Sequence, residues 1–136
     1  MSRHPFTRSR MALLTVTATA AVLLLAGCTP APQHPVATFE VAGVETYKIE
    51  LITPELVKHA EQLLKGDDVA AIPLGRVVRD SPGVNKPWSW HIDPKTLEFA
   101  EITIEVCDGL PSYVEDHTVT SKDYCPWSAK VIKIDK

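Results

Sequence analysis

From Met11 to Ala26 the chain carries no charged residue, and the run is rich in Leu, Val and Ala. Arg3, Arg8 and Arg10 stand before it. At 16 residues it falls short of the ~20 that a bilayer-spanning helix needs. A basic start, a short apolar run and small residues at its end describe an export signal. That reading takes the N-terminus out of the fold and sends the rest of the chain to a compartment where disulfides persist.

The end of the run is more specific. Leu25-Ala26-Gly27-Cys28 resembles the lipobox of bacterial lipoproteins. The resemblance implies cleavage before Cys28 and an acyl lipid, palmitate among its chains, on that cysteine. Residues 1–27 are then a signal peptide and 28–35 a lipidated tether. The three prolines of TPAPQHP, residues 29–35, favour an extended polyproline II spacer. The expected location is the extracytoplasmic face of the cell membrane, with the lipid as the membrane contact.

Residues 36–136 remain for one domain. Three of the 14 basic residues precede Cys28, and the other 11 against 17 acids leave a net charge of −6. A nucleic-acid partner would need a basic patch or stripe, so none is expected. With Cys28 lipidated, Cys107 and Cys125 are left over. In an exported domain they are read as a disulfide closing 17 intervening residues, worth about 3 kcal/mol. A metal or redox pair is the alternative, but the sequence holds no CxxC motif.

Phe39 and Val41 alternate with Thr38 and Glu40, and Tyr47, Ile49 and Leu51 alternate with Thr46, Lys48 and Glu50. With Ala42-Gly43 between them, these predict a hairpin. Thr53 suits a helix N-cap and Pro54 the first helical position. Leu56, Val57, Ala60, Leu63 and Leu64 form one apolar stripe, Glu61 and Lys65 an i,i+4 pair, and Gly66 an αL cap. Residues 67–72 are read as a loop and 75–79 as a short strand. A strand is expected over 100–106, with a bulge or break near Phe99 where the alternation changes phase. PSYVEDH, residues 111–117, predicts a short helix or turn, and 127–134 a last strand with Ala129 and Val131 on one face. The fold class is α+β: one small, mostly antiparallel sheet packed by one main helix.

The stretch NKPWSWHIDP, residues 85–94, is the densest in chemistry. If 88–93 is extended, Trp88, Trp90 and Ile92 share one face and Ser89, His91 and Asp93 the other. Neighbours along one face of a strand stand about 6.5–7 Å apart. A catalytic triad needs contacts of ~3 Å between successive members, so a local Ser-His-Asp triad is not expected. His91 and Asp93 remain weak metal-ligand candidates. The simpler reading has Asp93-Pro94 capping a turn that His91 orders by a hydrogen bond.

Residues 107–117 add Asp108, Glu115, Asp116 and His117. Their spacing matches neither an EF-hand loop nor a zinc motif, so Asp108, Asp116 and His117 are weak metal candidates. Glu101, Thr103 and Glu105 share a strand face that is usually solvated. Trp90 and Trp127 are expected in the core, and Trp88 and Tyr113 at the surface as anchors. No catalytic residue is assigned and nothing calls for a cofactor.

Three blocks carry a family resemblance. They are VNKPWSWHIDPKTLEFAEITIEVCDGLPSYVEDH at 84–117, YCPWSAKVI at 124–132, and TPELVKHAEQLLKG before GRVVR. Together they resemble the N-terminal domain of a eukaryotic calmodulin-binding protein, a domain found also in secreted bacterial proteins with the same label. The resemblance spans roughly Ala37 to Ile132. It implies calmodulin binding and carries over no catalytic residue. Calmodulin takes basic amphipathic helices, whereas the one predicted long helix sets Glu55 and Glu61 against Lys58 and Lys65.

The expected function is therefore a lipid-anchored, non-enzymatic module that binds a protein, peptide or glycan through Trp88, His91, Asp93 and Tyr113. The alternatives are a metal-binding protein or metal-dependent enzyme using His91, Asp93, Asp108, Asp116 and His117, and a secreted protease inhibitor presenting residues 81–88 as bait.

Overall fold

The computed structural model describes residues 33–136. The expected signal peptide, the expected lipid acceptor Cys28 and the expected tether up to residue 32 lie outside the described residues. Strand β1 (Val36–Val41) is central in a three-stranded antiparallel sheet between β2 (Glu45–Glu50) and β7 (Ala129–Asp135). Ala42 and Gly43 both take positive φ, 53° and 71°, and turn β1 into β2. Phe39 faces Tyr47 across the ladder, and their rings stack at 5.3 Å. Ala37, Phe39, Val41, Tyr47, Ile49, Ala129 and Val131 form the buried side of this sheet.

Helix α1 (Pro54–Lys65) begins and ends as its sequence dictates. Thr53 Oγ1 accepts the Leu56 N–H at 3.2 Å. Gly66 turns left-handed at φ 84°, and the N–H groups of Gly66 and Asp67 close on the carbonyls of Leu63 and Gln62. Ala60 is buried, and Leu56, Val57 and Leu63 pack on the core. His59 donates from Nε2 to the Ala70 carbonyl at 2.7 Å and stacks on Phe99, which seats α1 beside the second sheet. Glu61 pairs with Lys136 at 2.6 Å rather than with Lys65.

The α+β class with antiparallel pairing and one main helix is as expected, but the strands divide between two sheets where one was expected. The centre of the second sheet is β3 (Ile72–Val78), which starts three residues earlier than its sequence signals. β4 (His91–Ile92) and β5 (Glu98–Ala100) pair with β3 along one edge, and β6 (Asp123–Tyr124) along the other. A 3-10 turn at Pro94–Thr96 interrupts the first edge. Gly75 is obligatory here, because a Cβ would overlap the Ile92 side chain. A short helix α2 (Pro111–Glu115) follows the disulfide region. Trp90, just before β4, and Tyr124 of β6 pack their rings on Tyr47, and Phe99 packs on Phe39, joining both sheets and α1 in one core. The two small sheets bury the aromatic cluster between them.

Two further expectations change. Residues 88–93 are not one strand: only His91 and Ile92 pair with β3, and Trp88 lies in the preceding turn. Residues 100–106 are not a strand either. β3 offers partners down to Ile72, which faces Ala100, and the chain before Ile72 leaves the sheet. The phase change near Phe99 therefore marks a strand about to end, not a bulge within a longer one.

Candidate functional site

The sequence-expected residues of the 85–94 stretch serve the fold. Asn85 is fully buried; its Oδ1 accepts the Lys48 N–H at 2.7 Å and its Nδ2 donates to the Trp90 carbonyl at 2.9 Å. Trp88 is half-buried and donates from Nε1 to the Thr46 carbonyl at 2.8 Å. His91 donates from Nδ1 to the Ser81 carbonyl, and Asp93 Oδ1 caps the 3-10 turn by accepting the Lys95 N–H at 3.0 Å. The 81–88 loop is thus tied inward through Asn85 and Trp88.

The acidic residues near the disulfide are also engaged. Asp108 Oδ1 accepts the Trp127 N–H at 2.8 Å, and Glu115 Oε2 the Ser89 N–H at 3.0 Å. Asp116 Oδ1 accepts the Thr118 N–H at 2.9 Å, and hydrogen bonds from Thr118 hold its carboxyl below the usual range. His117 sits at a left-handed φ of 65°. Among the described residues no three His, Cys, Asp or Glu side chains converge as a metal site.

A different surface emerges at one end of the molecule. Cys107 and Cys125 are disulfide-bonded, and the Cys125 N–H donates to the Cys107 carbonyl at 2.7 Å. The β1–β2 turn is fastened here by the Ala42 N–H on Ser128 Oγ at 3.1 Å. Glu45 accepts both the N–H and the hydroxyl of Ser112, each at 2.8 Å, which docks α2 on the same end. Arg79 completes the frame with Nη1 on the Val114 carbonyl at 2.6 Å and Nη2 on the Val119 carbonyl at 2.9 Å.

On this frame lie side chains that a small domain ordinarily buries. Ile102, Ile104 and Val106 are 86%, 68% and 66% exposed. Trp127, expected in the core, is 45% exposed and held by its Nε1–H on Thr103 Oγ1 at 2.6 Å. Its backbone turns outward because Asp108 captures its N–H, while the neighbouring Cys125 and Pro126 fill the core position. Tyr113 is 43% exposed, against Gly109. Single exposed apolar residues are ordinary, but a contiguous set on a rigid frame marks an interaction surface.

Comparison with known families fits this architecture. A family model for the BP-74 N-terminal domain matches residues 34–136. The chain belongs to the BP-74 N-terminal domain family. The match covers all three blocks that carried the resemblance in the sequence. No curated protein and no solved structure matches the chain.

The residues that sequence reasoning missed in this BP-74 N-terminal domain are Asn85, Arg79 and the 102–106 segment. Asn85 lies inside a turn signal, which says nothing of burial. Arg79 closes its contacts across 35 and 40 positions of chain. The exposure of 102–106 depends on where β3 begins.

Proposed function

We propose that the chain is an exported lipoprotein, anchored by a lipid on Cys28, whose BP-74 N-terminal domain binds a partner and does no chemistry of its own. The observation that carries this reading is the exposed apolar set Ile102, Ile104, Val106 and Trp127 on a disulfide-braced frame. Its position suits display. The described chain begins next to Val36, at one end of the six-residue β1, while the frame gathers around the turn at the other. That separates Val36 from the turn end of β1 by roughly 17 Å. The carboxylates of Asp108, Glu115 and Asp116 are already committed to backbone N–H groups, which suits a structural role for them. Helix α1 is charge-balanced and turns its apolar stripe into the core, so binding is assigned to the apolar end rather than to a calmodulin-type helix.

The test uses the full chain expressed in a lipoprotein-processing bacterium. The purified product is expected to begin at an acylated Cys28 by intact mass, and Cys28→Ser to remain unacylated. Capture from cell-surface extract should yield a partner that Ile104→Asp and Trp127→Ala lose and Trp88→Phe keeps. An unacylated wild-type chain would sink the anchor. A partner held equally by all these variants would sink the surface.

A further inference from the structure

The 101–106 segment is more than an apolar patch. It follows β5 past Ile72, the first residue of β3, so its backbone has left one sheet edge without joining another. Ile104 is extended, at φ −94° and ψ 151°. Among the described residues, no backbone hydrogen bond engages the N–H groups of Ile102, Thr103 or Ile104. Thr103 is fixed from behind by Trp127, and the disulfide at Cys107 anchors the segment's far end. Residues 102–104 thus stand with unpaired backbone and exposed Ile102 and Ile104, between a bend at Glu101 and a 3-10 turn over Glu105–Cys107, and such a stretch is a site for strand addition.

Charge decides between occupants. Residues 101–117 hold Glu101, Glu105, Asp108, Glu115 and Asp116, with no Lys or Arg. A second copy pairing antiparallel about Thr103 would set Glu101 opposite Glu105 in both directions, and like charges directly opposite are destabilising. An anionic lipid surface is repelled by the same carboxylates. Resting on the binding reading above, the geometry points to an extended peptide segment that adds as a strand to residues 101–104, with apolar residues alternating with Lys or Arg. Its backbone would satisfy alternate N–H groups along residues 102–104, its apolar side chains cover Ile102 and Ile104, and its cations face Glu101 and Glu105.

The test uses the full chain in neutral detergent and three end-blocked hexapeptides. One alternates Lys and Val, one alternates Glu and Val, and the third is the Lys–Val peptide N-methylated at alternate amides. The Lys–Val peptide is expected to bind at least about tenfold tighter than either other peptide, with chemical-shift changes confined to 101–106 and Trp127. Rising salt should weaken it. The double variant Glu101→Lys/Glu105→Lys should reverse the preference between the Lys and Glu peptides. Equal binding of the N-methylated peptide, no binding by any peptide, or an unreversed preference each overturns strand addition. If strand addition fails while Ile104→Asp still abolishes partner capture, the binding surface stands with another mode of contact. If capture is also unaffected, both fall.

Discussion

Strand β2 and the 101–106 segment have the same alternating pattern and opposite fates. Tyr47, Ile49 and Leu51 are buried, while Ile102, Ile104 and Val106 are exposed. β2 has β1 beside it for all six residues and a second sheet across its apolar face. The 101–106 segment loses its partner strand after Ala100 and meets only Trp127 and the disulfide. Alternation therefore states which side chains share a face, and only neighbouring elements decide whether that face is covered. A domain of this size needs its apolar area inside; leaving three β-branched side chains out sets this end apart from the rest of the molecule.

The sharpest test of that contrast is a matched pair of truncations. Ile49→Ala should cost about 3–4 kcal/mol by opening a cavity among Phe39, Tyr47 and the core. Ile104→Ala should stay within about 0.5 kcal/mol of the parent while weakening partner capture. Urea titrations of both variants check this, and comparable losses would mean that 104 is also core.

Asn85→Ala comes next. It removes a fully buried amide and leaves the Lys48 N–H and the Trp90 carbonyl without partners, at about 3 kcal/mol. Because both partners lie on the core side, hydrogen exchange should accelerate in β2 more than at 101–106.

The double variant Cys107→Ser/Cys125→Ser should lose a similar amount, about 3 kcal/mol, mainly by freeing the unfolded chain. Here exchange should rise first at Trp127 and residues 107–109. An equal rise throughout β1 and β2 would show that the two regions do not differ in local stability.

The smallest effect concerns Tyr47, whose hydroxyl is buried without a hydrogen-bond partner. Tyr47→Phe should be neutral or stabilising by up to about 1 kcal/mol. Burial, and then the neighbouring Tyr124, raise the Tyr47 pKa well above its ordinary value; burial, then Asp108 and Glu45, raise that of Tyr124. The unfolded chain ionises near pH 10, so it releases these protons first. Stability is therefore full below about pH 10 and falls as pH rises beyond it. Tyr47→Phe should make that alkaline decline shallower, as followed by urea midpoints between about pH 9 and 11.

Much of the local structure is legible in the sequence. Thr53-Pro54 and Lys65-Gly66 act on backbone groups within a few positions, so α1 follows from its own ends. The hairpin turn at Ala42-Gly43 is local in the same sense. Cys107 and Cys125 can be paired by counting once the compartment is inferred. The site is harder. Trp88, His91 and Asp93 carry the residue types of a binding cluster, yet the carbonyls of Thr46 and Ser81 and the Lys95 N–H engage their polar atoms. Trp127 reads as core because its size and apolarity favour burial; the Asp108 carboxylate, 19 positions away, turns it outward.

The β1–β2 hairpin, helix α1 with its caps, the disulfide and membership of the BP-74 N-terminal domain family follow from residue order and short-range backbone chemistry. That one alternating segment is core and another is surface follows from how the elements pack. Burial is a property of what lies across from a face, and for residues 101–106 that depends on β3 beginning only at Ile72, far earlier in the chain.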